Sequence, residues 1–142
     1  VMKGYFRRPD ATAARIRDGW LYTGDVGKRD RDGYFYHLGR RDDMIITGGL
    51  NVYPAEVENL IYTYPGVQEA IVFAIPDIKR GHVIGAAVVP RVGGNVIDKE
   101  LLAFLRANLA NFKVPDKIVV RESLPRTSSG KTVRDAAVLL SQ

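Results

Sequence analysis

The chain of 142 residues is 46% hydrophobic and 26% charged, ordinary for one globular domain, and no run of eighteen apolar residues marks a membrane span. It has no cysteine, which excludes disulfides, thiolate metal sites and thiol catalysis and is compatible with a cytoplasmic protein. The formal charge of +5 favours anionic partners, whether nucleic acid, a membrane surface or a phosphate-rich small molecule; the basic residues form no run of four and are not interleaved with aromatics, which argues against nucleic acid, and a polyanion such as ATP or CoA accounts for the charge as well.

In chain order, residues 1–41 read as a strand-rich edge of something larger. A short helix is expected over Asp10–Arg17, stopped by Asp18-Gly19. A strand pair, Trp20–Thr23 with Tyr34–Leu38, is expected around the turn Asp30-Arg-Asp-Gly33. This part carries Tyr5, Phe6, Trp20, Tyr22, Tyr34, Phe35 and Tyr36 but few aliphatic residues, so it has little from which to build a core. The start, Val1–Arg8, lacks the apolar stretch of a secretory signal.

Residues 42–142 read as a small α+β domain: a three-stranded sheet, flanking helices and a β-hairpin. Met44–Thr47 and Leu50–Tyr53 flank Gly48-Gly49, where two glycines can supply the positive φ of a hairpin loop. Pro54 suits the first turn of a helix, and Val57, Leu60, Ile61 and Tyr64 then share one face. Val67–Ile75 and Val83–Val92 are nearly continuous apolar runs of strand length, hence buried strands. Asp98 is placed to cap a helix reaching Asn108, with Ile97 stapled onto Leu102 and Leu101, Leu102, Leu105 and Leu109 facing inward. Lys117–Val120 is a third strand, residues 125–130 form an exposed loop, and a last helix is expected over Val133–Leu140.

Several residues have the chemistry of a site. Lys131, delivered by a polar loop, is either a solvated surface lysine or a cation able to meet a phosphate that gains charge. Gly130-Lys131-Thr132 is not a P-loop, because Pro125 stands where that motif requires a glycine. Asp25, after Thr23-Gly24, is either a turn residue or a carboxylate able to accept both hydroxyls of a ribose. Arg40 has a structural ion pair with Asp42 or Asp43 as its plain alternative. His37 and His82 have neither metal-ligand spacing nor triad company, so both read as structural and no metal site is expected.

Three phrases occur in fixed order: Leu21-Tyr-Thr-Gly-Asp25, Gly39-Arg-Arg-Asp42-Asp-Met-Ile-Ile-Thr-Gly-Gly49, and Leu124-Pro-Arg-Thr-Ser-Ser-Gly-Lys131. Together they resemble the C-terminal third of the adenylate-forming enzymes, which include acyl-CoA synthetases, peptide-synthetase adenylation domains and firefly luciferase. The stretch from Met44 to Glu58 looks like bacterial fatty-acyl or aryl CoA ligases in particular. The resemblance implies a catalytic role for Lys131 in adenylation, ribose contacts for Asp25 and Arg40, and a hinge at Asp42. It also implies that Gly48 and Gly49 line the channel for the pantetheine arm of CoA. Arg80 stands where some relatives stack an aromatic on the CoA adenine, and Phe112 and Lys113 are weaker contacts for the same nucleotide, with Val114 where relatives may be basic. The implied reaction joins a carboxylic acid to CoA through an acyl-adenylate, using ATP with Mg2+ held elsewhere. The ATP phosphate loop and acyl pocket of these enzymes are not in this sequence, so the chain is expected to be a piece of the enzyme, inactive by itself and prone to self-association. A stand-alone module that binds CoA or a nucleotide, and an adenylation domain of another adenylate-forming enzyme, are the alternatives.

Overall fold

A computed structural model describes residues 1–141, which divide into two units, Val1–Asp42 and Asp43–Gln142. In the first, helix α1 (Pro9–Arg15) starts with proline at its first turn, where the absent N–H costs nothing. The helix ends at Arg15, because Ile16–Arg17 (β1) turns back through Asp18-Gly19 to pair with Trp20–Leu21 (β2). The expected pairing of Trp20–Thr23 with Tyr34–Leu38 is therefore not formed. The real partner of Phe35–Arg40 (β4) is Asp25–Arg29 (β3), antiparallel, with a bulge between Val26 and Gly27. The Asp30 carboxylate braces the turn between them, accepting from the Tyr34 N–H at 2.9 Å and the Tyr36 hydroxyl at 2.8 Å. Tyr36 donates most of what holds the Asp30 carboxyl below the usual carboxylate range. Among the described residues of this unit only Gly39 is buried, so the two ribbons have no apolar core.

The second unit has one. A 3-10 turn, Arg41–Asp43, leads to the hairpin β5 (Ile45–Thr47) and β6 (Leu50–Val52), then α2 (Pro54–Thr63), β7 (Val67–Asp77), β8 (Gly81–Pro90), α3 (Asp98–Asn108), β9 (Lys117–Val120) and α4 (Ala136–Leu140). The sheet order is β7-β8-β9, with β7 and β8 antiparallel and β9 parallel to β8. The parallel pairing requires a crossover, which α3 supplies. Both sheet faces are covered, and this is why β7 and β8 are apolar without alternation. On one face Val72, Ile84, Ala86 and Val88 pack with Val57 and Ile61 of α2 and Leu101 and Leu105 of α3. On the other, Ile71, Phe73, Ala87 and Val89 meet Leu124 and Leu139.

Two helix starts differ from expectation. Ile97, not Asp98, is the N-cap of α3, and the Asp98 carboxylate accepts from the adjacent Lys99 N–H instead. Ile97 is too exposed to be a staple; Val96, buried in the core, anchors that end. Of the four leucines, Leu101 and Leu105 are fully buried while Leu102 and Leu109 are half-buried. Helix α4 begins only after Asp135, whose carboxylate accepts from the Ala137 N–H at 2.8 Å. Residue 133 lies ahead of the helix, and its N–H donates to the Pro125 carbonyl at 2.9 Å.

The outer side of β7 is finished by side chains. The Tyr62 hydroxyl both donates to the Ala70 carbonyl and accepts from the Ala70 N–H, each at 3.2 Å. Glu58 accepts from the Val72 N–H at 2.8 Å, and Arg134 donates to the Val72 carbonyl at 2.7 Å.

Candidate functional site

Lys131 lies at the closing end of a tight turn in the second unit. Arg126 and Thr132 form an antiparallel bridge, and the Thr127 N–H donates to the Lys131 carbonyl at 2.8 Å. The Lys131 N–H donates to the Thr127 hydroxyl oxygen at 3.2 Å, and the Gly130 N–H to the Thr127 carbonyl at 2.9 Å. The hydroxyls and glycine that mark this stretch as a loop thus satisfy its own backbone. Lys131 is exposed, and among the described residues no carboxylate lies within 4.0 Å of its ammonium. Its basic neighbours are different. Arg126 pairs with Glu69 at 2.5 Å, and Arg134 pairs with Glu58 and lies 3.7 Å from Asp43.

Gly48 and Gly49 form the two-residue loop of the β5–β6 hairpin, with Thr47 opposite Leu50 and φ of +55° and +81°. Open space surrounds both, so the backbone conformation, not crowding, demands glycine. The Gly48 N–H donates to the Arg80 carbonyl at 3.0 Å, which joins this loop to the β7–β8 turn. In that turn the Asp77 carboxylate accepts from the N–H groups of Arg80 at 2.7 Å and Lys79 at 3.0 Å. These bonds, Arg80 first, hold its carboxyl below the usual range. The Arg80 guanidinium is engaged by Asp116, which raises the arginine further above its ordinary value. Asp116 also accepts from the Ile84 N–H at 3.2 Å, so Arg80 is oriented by the sheet. Lys113, in the 3-10 turn Asn111–Lys113, pairs with Glu56 at 2.6 Å and sits 5.6 Å from the centre of the half-exposed Phe112 ring. The cations at positions 80 and 113 therefore already have carboxylate partners.

In the first unit, Asp25 and Arg40 are cross-strand partners, 3.8 Å apart between Oδ1 and Nη1. His37 Nε2 lies 3.9 Å from the same oxygen. The partner of Arg40 is thus Asp25 rather than Asp42 or Asp43. Asp42 stands in the 3-10 turn at the unit boundary, 60% exposed in its side chain, with Arg15 4.0 Å away. Arg15, Gly24, Asp25 and Asp42 line an open cleft of about 670 Å³ whose walls are mostly polar. A cleft with the carboxylates of Asp25 and Asp42 and the guanidinium groups of Arg15, Arg17 and Arg41 on its walls suits a sugar that carries phosphates.

A family described as the AMP-binding enzyme C-terminal domain matches residues 56–131, more than half of the chain. The chain belongs to that family. It is 52% identical over 134 residues to a feruloyl-CoA synthase from Amycolatopsis sp, covering 94% of this chain and 27% of the relative. It is 47% identical to a long-chain-fatty-acid–CoA ligase from Bacillus subtilis (strain 168), covering 94% of this chain and 24% of that one. Among solved structures, o-succinylbenzoate CoA synthetase from Bacillus subtilis, in complex with its acyl-adenylate intermediate, has a TM-score of 0.87 at 43% identity. That match covers 96% of this chain and 28% of the synthetase. The chain spans about a quarter of the length of these relatives.

Two features of this family member were not visible in its sequence. One is the His37–Asp25 proximity, which follows from the register of β3 on β4. The other is the set Arg134, Glu58 and Asp43, which joins residues far apart in sequence. A carboxylate such as Glu58, next to the buried Val57, needs a cation partner, but nothing in its local sequence says which.

Proposed function

We propose that this chain is the C-terminal part of an AMP-forming acyl-CoA synthetase acting on an aryl or fatty carboxylic acid. Residues 1–41 belong to the edge of its large adenylation domain, and residues 42–142 are its mobile lid, with Asp42 as the hinge. In the first half-reaction the acid's carboxylate attacks the α-phosphate of ATP, forming acyl-adenylate and releasing pyrophosphate. In the second, the CoA thiol attacks the acyl carbon, giving the thioester and AMP. Mg2+ accompanies ATP on the rest of the enzyme.

The chain's own residues would divide this work by charge. Lys131 offers a compact cation to the carboxylate and the α-phosphate as negative charge builds there. Asp25 accepts the ribose hydroxyls, and Arg40, its cross-strand partner, aims that carboxylate. Gly48 and Gly49 present bare backbone to the pantetheine arm. Arg80, steadied by Asp116, and Phe112 with Lys113 would face the CoA nucleotide. The exposed aromatics of the first unit would be covered by the remainder of the enzyme and favour self-association without it.

One observation carries the reading: among the described residues Lys131 is an ammonium with no carboxylate partner on an internally braced turn, while Lys113, Arg80, Arg126 and Arg134 are each held by a carboxylate. The test places Lys131→Ala in the complete enzyme and measures acid-dependent exchange between ATP and pyrophosphate. Adenylation should fall by about 10²–10³, while thioester formation from supplied acyl-adenylate persists. Unchanged exchange refutes the role. Tight calorimetric binding of CoA or ATP by the 142-residue chain alone would instead favour a nucleotide-sensing module.

A further inference from the structure

We propose that Arg134 is a positioning residue for Lys131, fixing the lysine turn to the first residue beyond the hinge; this rests on the catalytic reading of Lys131. The guanidinium meets three separate parts of the second unit. Its Nη1 donates to Glu58 Oε1 on α2 and, at 2.7 Å, to the Val72 carbonyl on β7; its Nη2 donates to Glu58 Oε2 at 3.2 Å. Its Nε lies 3.7 Å from Asp43 Oδ2, in the residue that follows Asp42. The Glu58 side chain is only 12% exposed, and Oε1 also accepts from the Val72 N–H at 2.8 Å. A carboxylate so bonded cannot swing to follow a displaced arginine, so the fork geometry is fixed from the sheet side.

Lys131 precedes this anchor by three residues, a span of at most about 10 Å of chain. The far side of the turn is held as well: Arg126 pairs with Glu69 at 2.5 Å and donates to the Gly130 carbonyl at 3.2 Å. The turn is therefore clamped on both flanks, to β7 by Arg126 and to β7, α2 and Asp43 by Arg134. Only the Arg134 clamp also reaches the entry to the unit. A lid that swings about Asp42 must carry its lysine without slack between pivot and cation, because small misplacement of a reacting group costs rate steeply. Arg134 removes that slack by tying Asp43 and the lysine turn to one charge.

Two measurements test this. In the 142-residue chain, amide hydrogen exchange is followed at Thr127, Gly130, Lys131 and Val133, the donors that close the turn. Arg134→Gln should speed exchange there about tenfold or more, the scale of a lost charge-assisted hydrogen bond, while amides of β7 and β8 stay protected. Glu58→Gln keeps an acceptor for Val72 but loses the charge, and should produce the same change even if Arg134→Gln folds poorly. Unchanged turn exchange in both variants overturns the proposal. In the complete enzyme, Arg134→Gln should lower kcat for adenylation about tenfold with KM for ATP nearly unchanged, and Arg134→Lys should recover part of it. In a Lys131→Ala background the same substitution should cost nothing further; an additive loss would mean a merely structural arginine and overturn the proposal. If Lys131→Ala alone leaves adenylation intact, the catalytic reading fails, and the exchange data still decide whether Arg134 holds the turn.

Discussion

Gly85 stands in the middle of β8, opposite Phe73 on β7, with an ordinary strand backbone. A Cβ added there would lie 2.6 and 2.7 Å from two ring carbons of Phe73 and 2.8 Å from Ile75 Cδ1. Carbon atoms prefer about 3.5–4.0 Å, so the ring must retreat by nearly 1 Å. Phe73 is 1% exposed and bounded by Leu124 and Leu139, which leaves it nowhere to go. Overpacking of this kind costs about 1–3 kcal/mol. For a unit of about 100 residues this lowers the midpoint of thermal unfolding by roughly 10 °C. Thermal and guanidinium unfolding of Gly85→Ala, followed by far-ultraviolet circular dichroism, measures it; the transition reports the second unit, since the first has no buried apolar core. The contact can be isolated by pairing the substitution with Phe73→Leu. The double variant should lose less than the sum of the singles, because the shortened side chain vacates the space. A midpoint within about 2 °C of the parent for Gly85→Ala, or strict additivity, would refute the argument.

Gly49 offers the opposite case, open space with φ of +81°. Gly49→Ala should cost about 1–2 kcal/mol in denaturant unfolding through the left-handed backbone alone, and Gly49→Asn distinctly less. The β7–β8 turn should respond to acid through Asp77. The Arg80 and Lys79 N–H bonds depress its folded pKa, so its contribution is present above the unfolded value of about 3.9 and is lost as pH falls through the folded one. Amide shifts of Lys79 and Arg80 should therefore move only below about pH 4, and Asp77→Asn should abolish that titration.

What could be read from the sequence was whatever a local period or composition encodes. Val57 and Ile61 announced α2 by spacing, and both are fully buried. The apolar runs of β7 and β8 announced strands covered on two faces, which they are. Gly48-Gly49 announced a two-residue hairpin loop. The strand Asp25–Arg29 carries no such signal: its side chains are mostly charged and exposed, so nothing local marks it, rather than Trp20–Thr23, as the partner of β4. The late start of α4 goes with Asp135 as its N-cap and with Val133 bonded back to Pro125, a long-range pairing that spacing cannot disclose. At the candidate site, the polar composition of residues 125–130 marked Lys131 as loop-borne. The bracing of that loop was hidden, because Glu58 and Arg134 are 76 residues apart and meet only once the sheet is built.

An edge strand ordinarily offers an incoming chain a row of free backbone donors and acceptors, the template from which fibrils grow. At Ala70 and Val72 this sheet has no such offer to make, since Tyr62, Glu58 and Arg134 already occupy both groups of each residue. Replacing Tyr62 or Arg134 would therefore do more than loosen a contact: it would reopen a surface on which copies of the chain could add strand to strand.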